Sequence, residues 1–387
     1  MTASQHELQA VLHSHLAGNG DGMQVMEHGE FLYVGHFGTS GAGTTILDRT
    51  FNLVRQWPSP RGVHTHKVQT ASNLLLTNHE RFRSDDPCKV GMSVYDIADP
   101  FNARRVGWFD STGKGVHRIV WNGGEFAYVS MTPAGFNDRI WAILDMSDPT
   151  RPSEVGRWWW PGQWLDGGEA STWPHGRRYA AHHALVEGKR AYLGYGDAGL
   201  VILDITDPTK PVKVSNLMWS PGGDTHTCLP LPGRDVLVVT DESTKDNCEG
   251  GEHLVRTIDI ADEEHPVVAG ICPPPQGNFC ERGLRFGPHN LHENQPGSYR
   301  SNQLVFVTYF NAGLRVYDVS DPCQPFEIAH WVPETPSGQK AAQINDVFVT
   351  KDHRIFVTDR INGGVYLLRP GDVLSNRMRE AALSVTP

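Results

Sequence analysis

Lysine is scarce in this chain of 387 residues: only 9 of its 34 basic residues are lysine, and 19 histidines outnumber them. Charged residues make up 20% of the whole, the formal net charge is −10, and no run of Lys or Arg occurs. Nucleic-acid binders present clustered cations to the phosphate backbone, so that class of partner is excluded. Long apolar runs are missing as well; a bilayer span needs about 20 consecutive apolar residues. The opening residues Met1 to Glu7 have neither the basic nor the apolar segment of a secretory signal. The expectation is a soluble cytoplasmic protein with no membrane partner. Six cysteines, Cys88, Cys228, Cys248, Cys272, Cys280 and Cys323, are too few for a disulfide framework and form no CxxC pair, so all are expected as thiols. A P-loop, a G-x-S-x-G elbow and an HExxH helix are absent. The Gly-rich stretch 38–43 lies in a hairpin rather than between a strand and a helix, which does not support dinucleotide binding.

What is abundant is glycine (40) and proline (26), between short β-branched runs. One phrase recurs, an apolar strand ending in Asp48, Asp96, Asp145, Asp204, Asp259 and Asp318, with a degenerate seventh copy at Leu368. The steps are 48, 49, 59, 55, 59 and 50 residues. Most copies continue into a second Asp followed by Pro, as at Asp207-Pro208, where Asp caps a turn and Pro fixes the next φ. That period in an all-β pattern predicts a seven-bladed β-propeller with four-stranded blades A to D, closed into a ring. The seven copies occupy about residues 22–370 of a single domain over 1–387. The last copy lacks an outer strand, and the segment 6–16 is a candidate to supply it, with an N-terminal helix as the alternative.

Leu200-Val201-Ile202-Leu203-Asp204 and its copies resemble the LVIVD-repeat family. The resemblance covers nearly the whole chain and implies a β-propeller; it says almost nothing about chemistry, because propellers host unrelated functions.

In a propeller, strand A of each blade lines the channel. Aligning the strand A starts places His66, His117, His183, His226 and His289 at one repeat position, with Asn345 and Asp346 in blade seven and Gln24 in blade one. One such His would be a structural residue, whereas five in register around an axis predict a shared cation. Those five are the expected metal ligands, and N-rich sets suit Fe, Mn, Zn or Cu. His64, His182, His292, Asp346 and Tyr309 are expected beside the metal in catalytic roles. Regular alternation forbids His182 and His183 from both facing the axis. Strand B ends add His36, His79, Asp241 and Tyr309 to the same rim, with Arg81 after His79. Arg360 is a candidate carboxylate or phosphate clamp. The long connection 161–181 contributes Trp164, Trp173 and Arg178 to a substrate wall, and another long connection, 273–288, carries Phe279, Arg282 and Arg285. Trp158, Trp159 and Trp160 are expected as packing between blades.

These residues point to a metal-dependent enzyme acting on a small polar molecule, leaning towards lyase or hydrolase chemistry. A His-ligated oxidoreductase or oxygenase is the alternative, and a non-catalytic binding propeller is the second.

Overall fold

The computed structural model describes residues 8–82, 88–220 and 223–383. It is an all-β protein, about 4% helical, and its single α-helix among the described residues is Asp372–Ala381. The chain folds as two compact units, one of residues 26–218 and the other of residues 1–25 with 219–387.

In the unit 26–218 the recurring element is a meander of antiparallel strands. Gly115–Val120, Phe126–Thr132, Ile140–Asp145 and Ser153–Trp158 pair in that order. Tyr179–Glu187, Arg190–Gly196, Leu200–Asp204 and Val212–Leu217 repeat the arrangement. Val68–Ala71, Leu74–Arg81, Val90–Asp96 and Arg104–Ser111 do the same, with the short strand Val63–His64 joining Leu74–Arg81. The third strand of each set, the one with the recurring phrase, is almost wholly buried because both its faces pack against neighbouring sheets. Trp158 and Trp160 pack on the cluster of Ile143, Leu193 and Val201, and Trp159 packs on the cluster of Val129 and Ala142, so the tryptophan triplet is interior packing as expected.

In the other unit Thr225–Pro230, Val236–Asp241, Val255–Asp259 and Val267–Ile271 form one meander. The next has three strands, Leu304–Thr308, Leu314–Asp318 and Phe326–Trp331. Residues 289–292 lie along its inner edge through His289 N–H to Thr308 O (2.8 Å) and His292 N–H to Phe306 O (2.9 Å). The last meander, Ile344–Val349, Ile355–Asp359 and Gly364–Pro370, takes its outer strand from Leu8–Ser14, which pairs antiparallel with Gly364–Pro370. The described part of segment 6–16 is therefore mainly strand; residues 6 and 7 lie outside the described residues. Gly364, at φ +77°, is needed at this seam, because a Cβ there would lie 2.1 Å from Ser14 O.

Two irregularities repeat with the sequence. Between third and outer strands the register slips by one residue at Ile143/Leu144, Ile202/Leu203, Thr257/Ile258 and Val316/Tyr317, which is a bulge in the outer strand opposite the middle of the recurring phrase. Between first and second strands it slips across His117, across residues 180–182, across His226 and across Asn345. A polar side chain on the second strand then ties successive copies together by donating to a carbonyl in the next first strand. Asn78 reaches Val116 O (2.9 Å), Ser130 reaches His182 O (2.9 Å) and Thr240 reaches His289 O (2.8 Å). Thr308 likewise reaches Asn345 O (3.1 Å), and Thr358 reaches Met23 O (2.7 Å).

The repeated aspartates act as turn caps. Asp145 accepts from Ser147 N–H and Asp204 from Thr206 N–H, each at 2.7 Å, and the second Asp of each phrase caps in the same way at Asp148 and Asp207. One expectation for the cysteines is overturned: Cys248 and Cys280 form a disulfide, while Cys88, Cys228, Cys272 and Cys323 are free thiols.

Candidate functional site

The first-strand bulges decide which side chains gather. A bulged residue leaves the ladder and its side chain is re-aimed, and His117, His182 and His226 stand at such points. In the unit 26–218, four imidazoles follow one another in a row, and one carboxylate reaches two of them. His64 ends the short strand Val63–His64, His66 follows two residues on, His117 sits in the bulge of Gly115–Val120, and His182 sits in that of Tyr179–Glu187. Rings of His64 and His66, and of His66 and His117, lie 5.0 Å apart between centroids; His117 and His182 lie 4.9 Å apart.

Glu80, on Leu74–Arg81, is the carboxylate of this group. Its Oε2 lies 2.7 Å from His117 Nδ1 and 4.0 Å from His64 Nδ1. His117 Nε2 in turn stands 3.2 Å from His182 Nε2. On the other side of the cluster Asn78 Nδ2 lies 3.3 Å from His66 Nδ1. His64, His66 and Glu80 each offer a ligand atom within 4.8 Å of the other two. Burial, with Lys67 next in effect, holds His66 well below the usual imidazole value; burial and then Arg139 do the same for His117. Both rings are therefore neutral, the form that binds cations. Burial raises the Glu80 carboxyl.

His182, not His183, faces this cluster. His183 Nδ1 accepts from Arg118 Nε at 2.9 Å and is turned away beside a cation. A regular strand would align His183 with His117; the slip across residues 180–182 moves the register back by one, so His182 is the true equivalent.

The remaining rim residues divide by unit. In the unit 26–218, His36 is bonded to Thr45 Oγ1 (2.7 Å), and His79 to Ser93 Oγ (2.9 Å), with burial lowering His79 to about 4. Both are buried. Arg81 ends its strand with its backbone N–H on Lys114 O. Arg178 forms a two-point ion pair with Asp138 at 2.8 and 3.0 Å, Trp173 stacks on Tyr179, and Trp164 is 42% exposed against Phe136 and Trp159. Of these, Trp164 alone presents a broad open face.

In the other unit, His226 and His289 rings lie 4.4 Å apart, and His289 Nε2 is 3.7 Å from Glu242 Oε1. His289 Nδ1 bonds Asn345 O at 2.7 Å. His292 is used up internally, with Nε2 on Tyr299 O (2.8 Å) and Nδ1 accepting from Val349 N–H (3.2 Å); burial lowers it to about 4. Asp346 accepts from Val25 N–H at 3.0 Å. Asp241 is paired with Arg256 and bonded by Trp219 and Thr225, entirely inside the protein. Burial pushes the hydroxyl of Tyr309 far up, so it keeps its proton at any working pH. Arg360 is partly buried, near Phe310. Glu80 and Glu242 were not singled out from sequence. Strand alternation carries the signal for the first: His79 and Glu80 are adjacent, so only one can face the histidines.

The family model for the LVIVD repeat matches residues 115–158, 180–218 and 301–331, and the chain carries LVIVD repeats there; these repeats are associated with β-propeller folds. No curated protein matches the sequence. Among solved structures the chain is similar to the computationally designed protein Ika8, with a TM-score of 0.54 at 8% identity over 93% of this chain and 98% of that one. It is also similar to PpgL, the periplasmic gluconolactonase of Pseudomonas aeruginosa, with a TM-score of 0.56 at 11% identity over 89% and 93%. At these identities the likeness is one of fold.

Proposed function

We propose that the protein is a metal-dependent enzyme acting on a small polar molecule, with a divalent transition metal held by imidazoles of His64, His66, His117 and His182. The observation that carries this reading is the chain Glu80–His117–His182. A carboxylate on Nδ1 fixes the tautomer that leaves Nε2 as a lone pair, the usual outer support of a metal-bound histidine. The 3.2 Å between the two Nε2 atoms is close to the separation, roughly 3.3 Å, of two ligands at ~2.05 Å on a tetrahedral ion. An N-rich set suits Zn, Fe, Mn or Cu.

A bound metal would supply Lewis acidity or an activated water. The chain's own residues then divide the work. Glu80 orients His117 and is positioned to take up a proton, since burial has already raised its carboxyl. Asn78 Nδ2 donates to His66 Nδ1, which keeps the proton of the neutral His66 ring on Nε2, so His66 would have to give up this bond to ligate through Nδ1. We favour hydrolase or lyase chemistry; the fold likeness to a gluconolactonase supports the hydrolytic side, within the rule that a fold hosts many chemistries. A small molecule, rather than nucleic acid or a membrane, is the proposed partner. We further propose that the seven repeats close into a seven-bladed ring, a reading supported by the sequence period and by Thr358 bonding to Met23 in the first copy.

Protein purified without a histidine tag should contain about one equivalent of a transition metal by plasma mass spectrometry. His117→Ala should lose the metal while keeping the far-ultraviolet spectrum of a β protein. Glu80→Gln should weaken uptake by about 10–100-fold, the usual effect of an outer-shell change. Metal below about a tenth of an equivalent in the unaltered protein would overturn the enzyme reading and leave a binding propeller.

A further inference from the structure

The imidazoles of the unit 26–218 are held in different ways. His117 is fixed through its Nδ1 by Glu80 at 2.7 Å, and His66 through its Nδ1 by Asn78 at 3.3 Å. The same Glu80 oxygen stands 4.0 Å from His64 Nδ1, beyond hydrogen-bond reach. Against the ring of His64 stand two phenylalanines. Phe82 lies over it, with 3.6 Å between centroids and 31° between planes, and Phe37 lies 4.8 Å away at 54°. The two phenylalanine rings meet edge to face at 5.6 Å, a favoured aromatic arrangement.

The backbone brings the three rings together. Val63 pairs with Arg81 and His64 with Glu80 across a two-residue ladder, and Phe82 N–H continues it onto Gly62 O (2.7 Å). Glu80 and Phe82 are two residues apart, so an extended chain turns both side chains to one side. Phe37 follows His36, which bridges to Thr65, the residue after His64. Gly35 permits that approach, because a Cβ there would lie 2.6 Å from His66 O. His64 is buried and the phenylalanines are half-buried, so the stack closes over this end of the imidazole row.

We infer that Phe82, supported by Phe37, is the positioning residue for His64 as a metal ligand, an inference that rests on the metal reading above. A metal–imidazole bond lies in the ring plane, so that plane must be held within about 10–20° of the productive one. A hydrogen bond holds it by committing one nitrogen, as Glu80 does for His117. A ring stacked on the face holds it and leaves the nitrogen edge open. Leucine at position 82 would keep the apolar contact and lose the flat surface.

Two readouts on the full chain separate this role from the metal reading. In protein dialysed against EDTA, carbethoxylation of His64 by diethyl pyrocarbonate, followed by mass mapping, should run several-fold faster in Phe82→Leu. An unchanged rate would overturn the stack as the restraint on His64, with or without a metal. Cobalt(II) titration then reads the ligand. Phe82→Leu should bind cobalt about 10–100-fold more weakly, as when the outer support of a ligand is lost, and its visible absorption at saturation should differ from that of the unaltered protein. A variant that was merely less stable would keep the spectrum. Phe82→Tyr retains the ring and should match the unaltered protein in both affinity and spectrum. Phe37→Leu should act in the same direction with a smaller effect, and it covers the case in which Phe82→Leu fails to fold. Cobalt affinity and spectrum unchanged in both leucine variants would overturn the positioning role and leave the metal reading standing. Absence of cobalt uptake by the unaltered protein would overturn the metal reading, and with it the ligand that Phe82 positions.

Discussion

Asp241 illustrates how the same residue type can stand on a rim by repeat position and yet carry no ligand. Its carboxylate is paired with Arg256, takes bonds from Trp219 and Thr225, and is fully buried. Removing one charge of such a pair leaves the other stranded, so Asp241→Asn should destabilise the fold by about 3–5 kcal/mol in urea titration. Legibility at this scale was uneven for a physical reason. That histidines recur at one repeat position is a property of composition and period, and it is visible directly. Whether His182 or His183 turns inward depends on one bulged residue, which leaves no trace in the alternation of apolar and polar side chains. Glu80 was hidden behind its neighbour His79, because the choice between adjacent residues needs the strand's orientation.

At the scale of the element, the recurring turn is where local chemistry wrote itself most clearly into the sequence. Asp in the phrase caps a turn two residues long, and that requirement is met without help from distant parts of the fold. Four strands per repeat follow from the period; the missing partner of the last copy marked segment 6–16 as a candidate outer strand, and pairing with Gly364–Pro370 decides for strand over helix in Leu8–Ser14. The three-stranded meander at 304–331 was less legible, since residues 289–292 make edge bonds without becoming a regular strand. The turns also set an acid limb. Backbone N–H bonds from Ser147 and Thr206 hold Asp145 and Asp204 below the usual carboxylate value, and hydroxyls of Thr150 and Thr209 do so for Asp148 and Asp207. Each therefore adds stability that is complete above the unfolded carboxyl value, near 3.8, and is lost as pH falls through the lower folded one. Urea midpoints should drop between pH 5 and pH 2. The variant Asp145→Asn with Asp204→Asn should show a shallower drop, since Asn keeps the turn bond but does not titrate.

At the scale of the whole molecule, the Cys248–Cys280 bridge is the one covalent link outside the backbone among the described residues, with a sequence separation of 32. Chain-entropy arguments give a loop of that size about 3–4 kcal/mol, so dithiothreitol should lower the unfolding free energy by that order. Nothing in the spacing of six cysteines could have named this pair, because the two loops meet only through the fold. It also bears on location. Alkylation of thiols in fresh extracts, followed by mass mapping, should find this bond intact if the protein works in an oxidising compartment; free thiols at both positions would support the cytoplasmic expectation. The strand Leu8–Ser14 has a consequence in time. Leu8 pairs with Pro370, so at a synthesis rate of about 5–20 residues per second the first strand waits some 20–70 s for its neighbour to leave the ribosome. Through that interval its hydrogen-bonding edge is unclaimed and open to other nascent chains, and the strand becomes native only once Gly364–Pro370 is in place.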